Sequence, residues 1–400
     1  MKKLSVALAA ALLMGSLAAC SNDTPAPTPS GETVTLKVWE SLQGPDEFIK
    51  QAGEEFTKKN PNVKIEFINV ELGDSAAQIA LDGPAGTGPD VFAAPHDKLG
   101  ELVSGGHVLA IADKAGVTAN VLENTITAST YDGTLYGYPV ATETYALYYN
   151  KALVQNPPKT WDEVISFSQT FNAANAGKYG FVMDVGNAYY TFLFTTSQDN
   201  RLFGPEGTDT ENTNINSAAS VAGMKQFQDL RQALNVPAAD LNTASVDALF
   251  ASGDAAMHIS GPWNVKNFTD SGIDFGITTL PALTGSSDPA ASFAGIRTMF
   301  VSSYSGHPEE AAAFAEFLTT KEMQQLRADI TGALASSKST ITYENPVVSG
   351  FGEQMPYAFP MPSIPQMGKF WDAMNSASAN IWNGADVQTE LDAADSAILS

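Results

Sequence analysis

The side chains most able to do acid–base or metal chemistry are the four histidines, His96, His107, His258 and His307. No two of them have the i, i+4 spacing of a helical HExxH site, and the chain has a single cysteine, Cys20. A zinc centre needs three or four such ligands brought together. The chain is therefore expected to hold no metal and no cofactor. It lacks a GxSxG nucleophile elbow and a GxxxxGK[ST] phosphate loop. The Gly-rich run at 83–88 lacks the GxGxxG spacing, is followed by Pro89, and reads as a turn. Two carboxylates for glycoside hydrolysis can meet from anywhere in a fold. With 44 acids present their occurrence says nothing, so a surface glycosidase stays open as an alternative to a binding protein. One acid does stand out. Glu143 interrupts an otherwise uncharged run over residues 133–149, and an acid buried without a partner is costly.

The sole cysteine has a context of its own. Met1, Lys2 and Lys3 precede an apolar run over residues 4–14, then Leu17-Ala18-Ala19-Cys20. A basic start, a short apolar core and small residues before a cleavage point describe a secretory signal. The run is shorter than the about 20 residues a membrane span needs. Leu-Ala-Ala-Cys resembles the bacterial lipobox, which implies that residues 1–19 are a signal peptide and that Cys20 is lipidated. Residues 20–32 then form a Pro-rich spacer, too poor in apolar side chains to offset its ordering entropy. The protein is expected outside the cell membrane, touching it only through that lipid.

The remaining residues exceed what one hydrophobic core usually holds, so two domains are expected. Forty-four acidic against 21 basic residues give a formal charge of −23. That argues against nucleic acid and anionic lipid as partners, which need clustered Lys and Arg.

Elements that would position a site can be read from periodicity. Residues 34–39 (VTLKVW) alternate as a strand, residues 48–59 carry an apolar helical face, and residues 63–70 (VKIEFINV) alternate again. This order implies a parallel crossover. Residues 90–94 read as a short buried strand, with further strand text at 136–149 and 274–279. Helices are expected over 161–176, 218–234, 309–318 and 367–382. The alternation specifies α/β, with helices covering a mostly parallel sheet.

Several phrases carry a resemblance. They are Gly88-Pro89-Asp90-Val91-Phe92 with Pro95-His96-Asp97-Lys98-Leu99-Gly100, then Glu143 through Tyr148-Tyr149-Asn150-Lys151, and Asn156-Pro157-Pro158-Lys159-Thr160-Trp161. Ser260-Gly261-Pro262-Trp263 and Met361-Pro362-Ser363-Ile364-Pro365-Gln366-Met367 with Phe370-Trp371 follow. Together these resemble the extracellular solute-binding proteins of carbohydrate ABC importers, in particular the maltose/maltodextrin branch. The resemblance implies a two-lobe periplasmic-binding-protein-like fold, each lobe a mostly parallel sheet flanked by helices, with a ligand cleft between them. It places residues 33–141 plus 299–340 in one lobe and 142–298 plus 341–400 in the other. It implies an α-glucan ligand of the maltodextrin type, or another oligosaccharide. The partners would be the transmembrane subunits of an ABC permease, the receptor itself being monomeric.

The chemistry of a sugar agrees with these positions. Its hydroxyl rim asks for charged or amide hydrogen-bonding groups and its C–H faces ask for aromatic plates. By the resemblance, Tyr189, Trp263 and Trp371 are stacking aromatics, with Tyr190 lining a neighbouring subsite. Asp97 and Glu143 accept from hydroxyls, and Lys98 stands where an arginine is often found, a point donor in place of a fork. Glu40 and Ser41 follow the first strand, where α/β folds bind ligands, and are added as sugar contacts. Trp39 and Trp161 are assigned to the core and a helix start. Read without the resemblance, Trp263 and Trp371 would be core aromatics and Asp97 a helix cap. Compared with an enteric relative, Ala94 replaces a tryptophan, Gln43-Gly44 an acid–lysine pair, Asn187 an acid and Asn375 an arginine. These departures predict a less charged site, open to longer or cyclic chains.

Overall fold

The structure is a computed structural model that describes residues 33–343 and 346–400. The signal, Cys20 and the spacer at 20–32 lie outside the described residues. Among those described, no helix is long and apolar enough to cross a membrane.

The first expected unit forms as read. Strand β1 (Val34–Glu40) leads into helix α1 (Pro45–Lys59), which returns to β2 (Val63–Asn69). Pro45 occupies the first turn of α1, where a missing N–H costs nothing. The helix buries Phe48, Ile49, Ala52 and Phe56 on one face. Its Gly53 lies so close to Ile65 that a Cβ there would meet it at 2.8 Å. Strands β1 and β2 pair parallel, and β3 (Val91–Pro95) pairs parallel on the other side of β1.

The chain then adds β4 (Gly137–Glu143) and β5 (Ala146–Asn150). Helix α2 (Ala188–Thr195) follows, then strands β6 (Met257–Ser260), β7 (Phe275–Thr278) and β8 (Phe293–Val301). Helices α3 (Lys321–Thr331) and α4 (Gln366–Trp382) come last among the elements that matter for the site. In the larger sheet β8 lies antiparallel between β3 and β4. The smaller sheet has β5 in the middle, antiparallel to both β6 and β7, while Tyr179 and Val182 make parallel bridges to Ala255 and His258. Both sheets are thus mixed, the smaller one chiefly antiparallel. Alternation of apolar residues is the same for either strand direction, so the sequence pattern does not distinguish them.

Two sets of core residues divide the chain. One runs from Tyr145 to Phe293 and resumes from Phe351 to Ile398. The other is drawn from Leu36 to Val140 and from Met299 to Met323. Strand β8 passes from one to the other, with Phe293 in the first core and Met299 in the second. The fold is thus a two-lobe α/β arrangement, each lobe with its own sheet and core. Trp39 and Trp161 are both buried. Trp161 opens a helix capped by Thr160 and Glu163 in a reciprocal capping box.

Candidate functional site

A cleft of about 1010 Å³ is lined from both halves of the molecule. Ser41, Asp97, Lys98, Glu143, Tyr189, Tyr190, Trp263 and Trp371 all line it. Of the residues expected from sequence, Glu40 alone does not. Its carboxylate points away, fully buried between Arg297 and Arg327.

The aromatic side is built on three elements. Helix α2 begins at Ala188, so Tyr189 stands in its first turn. Asn187 caps that helix by accepting from the Tyr189 N–H at 3.0 Å, and Asn375 accepts from the Ala188 N–H at 2.7 Å. Both asparagines also line the cleft, and their uncharged side chains serve the helix end. Helix α4 buries Phe370, Met374, Ala377 and Ile381 and leaves Trp371 half-buried at the cleft. Trp263 follows β6 in a short 3-10 turn, its indole lying against Gly261. A Cβ on Gly261 would sit 2.1 Å from that ring, which gives Gly-Pro-Trp its glycine a packing reason. The buried Phe293 ring backs the wall, 5.6 Å from Trp371 and 6.1 Å from Tyr189 between centroids. Tyr189 is in turn 6.1 Å from Trp263. Burial holds the Tyr189 phenol well above its ordinary pKa, so it stays a neutral donor and acceptor.

Asp97 lies opposite, in the turn between β3 and the helix Leu99–Ser104. It caps no helix. One oxygen, Oδ2, accepts from the Trp371 indole N–H at 3.2 Å, while Oδ1 is buried without a partner among the described residues. Burial pushes this carboxyl up, opposed by His96, Lys98 and the Trp371 bond. Lys98 makes a local ion pair with Glu101 at 3.5 Å. Next door, His96 is buried, and burial pushes its pKa down. The Ile296 N–H donates to Nδ1 at 3.1 Å, so the neutral ring carries its proton on Nε2 and donates to the Met361 carbonyl at 3.1 Å. His96 thereby ties three segments around the cleft.

Arg297 was not singled out from the sequence, yet it lines the cleft between the two halves. Its Nε donates to Glu143 Oε1 at 3.0 Å, and its Nη1 donates to Glu40 Oε1 at 2.5 Å and to Ser41 Oγ at 3.2 Å. Glu143 is therefore paired, which answers the cost of its burial. Behind Glu40, Arg327 on α3 lies over the Phe48 ring with its nearest nitrogen 3.6 Å from Glu40 Oε2, an ion pair too long for a hydrogen bond. Burial pushes Arg327 down to about 10, so it remains a cation at neutral pH. Charges alternate along the row Arg327, Glu40, Arg297, Glu143. The signal for Arg297 was present in the sequence. It is the single charge in the strand FAGIRTMFV, as Glu143 is in its own run.

The model of the bacterial extracellular solute-binding protein family matches residues 39–325. A galactooligosaccharide-binding protein of Bacillus subtilis is 31% identical, the alignment covering 98% of this chain and 96% of that protein. A maltodextrin-binding protein of the same species is 28% identical over 94% of this chain and 91% of its own length. A maltooligosaccharide ABC transporter solute-binding lipoprotein of Streptococcus pneumoniae is 27% identical over 91% and 87%. Among solved structures, a cyclo/maltodextrin-binding protein complexed with maltotetraose superposes with a TM-score of 0.75 at 33% identity, covering 93% of this chain and 98% of that one. The chain belongs to the bacterial extracellular solute-binding protein family.

Proposed function

We propose that the cleft binds a neutral oligosaccharide, an α-glucan of the maltodextrin type, and that the protein delivers it to the transmembrane subunits of an ABC permease. The observation that carries this reading is the meeting of Tyr189, Trp263 and Trp371 with a buried carboxylate oxygen of Asp97 that has no partner among the described residues. Flat aromatic faces receive sugar C–H surfaces, and an unpartnered carboxylate oxygen awaits a hydroxyl donor. Six acids line the cleft, Glu71, Asp74, Asp97, Glu101, Glu143 and Asp372, against the three bases Lys98, Arg297 and Lys369. An anionic glycan would meet net repulsion there, so the ligand is uncharged.

On this reading the protein binds and releases its sugar without chemistry. Residues 33–141 with 299–340 form one lobe and residues 142–298 with 341–400 the other, a division supported by the two segregated cores. The sugar bridges Asp97 in the first lobe to the aromatic residues of the second, and the cleft closes on it. Closure requires contacts that differ between open and closed states, and a bridging ligand supplies them. The protein acts as a monomer, tethered by a lipid on Cys20. A second reading, a galactooligosaccharide ligand, is favoured by the 31% identity with the galactooligosaccharide-binding relative.

Calorimetry with maltose, maltotriose, maltotetraose, a cyclodextrin, galactooligosaccharides and xylo-oligosaccharides tests the proposal. Tightest binding of a maltodextrin supports it, tightest binding of galactooligosaccharides selects the second reading, and hydrolysis of maltotriose by purified protein overturns a pure binding role.

A further inference from the structure

We propose that Arg297 is a specificity-determining ligand contact, a fixed fork that reads adjacent sugar hydroxyls together with Glu143. This rests on the oligosaccharide reading of the cleft. An arginine has five N–H donors in one plane. In Arg297 three are committed, Nε to Glu143 and both hydrogens of Nη1 to Glu40 and Ser41. No acceptor among the described residues takes the two hydrogens of Nη2. Nη2 is also absent from the buried nitrogens that lack partners, so it is not sealed off, and the residue lines the cleft.

Glu143 has the complementary state. Its Oε1 accepts from Arg297, whereas Oε2 has no donor among the described residues and is not sealed from solvent. The 3.0 Å bond between the two side chains makes a free donor and a free acceptor neighbours. A sugar hydroxyl both donates and accepts, so a pair of adjacent hydroxyls on one ring fits this pair of groups, one accepting from Nη2 and one donating to Oε2. The arrangement is rigid because the guanidinium is held on two sides. Glu40 is in turn faced by the cation of Arg327 at 3.6 Å. Preorganised donors lose little entropy on binding and discriminate strongly against a ligand that leaves them unpaired.

The test is a double cycle between protein and ligand. Purified wild-type protein and Arg297→Lys are titrated with maltotetraose and with its monodeoxy derivatives, galactooligosaccharides being substituted if they are the tighter ligand. The lysine keeps a charge for Glu40 and Glu143 but has no fork. Removing the hydroxyl that accepts from Nη2 is expected to weaken wild-type binding at least tenfold. In the lysine variant that penalty should shrink below threefold, while penalties at hydroxyls elsewhere on the chain persist. Should Arg297→Lys not fold, Arg297→Gln, which removes the fork and leaves Glu40 its ion pair with Arg327, is read the same way. If a folded variant binds more weakly yet carries every deoxy penalty unchanged, Arg297 only positions Glu143 and the proposal is overturned. Wild-type protein that binds no oligosaccharide of either kind overturns the oligosaccharide reading itself, and the role of Arg297 with it.

Discussion

Asp97→Asn should make the empty protein more stable and the loaded protein weaker. In the wild type, among the described residues, Asp97 Oδ1 is buried without a partner and Oδ2 has only the Trp371 indole at 3.2 Å. Burial raises its pKa, meaning that the empty fold disfavours the anion. An amide in its place removes the charge while its oxygen keeps the indole bond. Relieving an under-satisfied buried charge should gain about 1 kcal/mol, the low end of what such groups cost, and raise Tm by a few degrees at most. Binding moves the other way. A hydrogen bond to a charged group contributes about 1.5–3 kcal/mol and one to a neutral group about 0.5–1.5. The difference, about 1–2 kcal/mol, is roughly 5- to 30-fold in Kd. The sign with pH follows from the raised pKa. The folded state holds this proton more tightly than the unfolded chain, so the contribution is present below the unfolded value of about 3.9 and is lost as pH rises through the folded value. The stability advantage of the asparagine variant should accordingly grow across that acid window and level off above it. Thermal melts without sugar and calorimetry with maltotetraose at pH 7.5 measure both effects. A variant that melts lower and binds as tightly as wild type refutes the reasoning and makes Asp97 a structural residue.

Other consequences are equally direct. Trp263→Ala and Trp371→Ala should each weaken sugar binding by about 1–3 kcal/mol, roughly 5- to 150-fold, with modest loss of Tm, and Gly261→Ala should mimic the first by displacing the indole; calorimetry and melts separate this from a core role, which would lower Tm and spare affinity. His96, held neutral by burial, should make stability fall as pH drops below about 6.5, because the unfolded chain takes up the proton first; urea unfolding at pH 7.5 and 5.5 should show the loss in wild type and a smaller one in His96→Gln. Cys20→Ala should leave the folded part intact and release the protein from the membrane or block processing; cell fractionation checks it, and a variant that stays membrane-bound and processed argues against lipidation.

How much of this was legible in the sequence varies by residue. The alternation VTLKVW and the apolar face at Phe48, Ile49, Ala52 and Phe56 gave the first parallel crossover to within a few residues. Glu143 was visible as one charge in an uncharged run, and its partner Arg297 carried the same signal in β8 but matched no quoted phrase. Periodicity alone would have left Trp263 and Trp371 in the core, since a cleft wall and a core face look alike along one helix; the resemblance moved them. Glu40 and Ser41 were expected to contact sugar together; their side chains do meet at Arg297 Nη1, but the glutamate is drawn between two buried arginines, a pairing no local pattern announces. Ser41 reaches the cleft while Glu40 turns inward to the arginines. The direction of the β5–β7 pairings was not legible, because it depends on long-range topology rather than on local pattern.

A crystal structure of the protein grown with maltotetraose tests the central claim most directly. The account predicts a single chain of sugar rings in the cleft, with ring faces on Trp263, Trp371 or Tyr189. It also predicts a hydroxyl within hydrogen-bonding distance of Asp97 Oδ1, and the residues on either side drawn closer than without sugar. Sugar bound elsewhere on the surface, or a cleft that stays empty at saturating maltotetraose while calorimetry records binding, contradicts it.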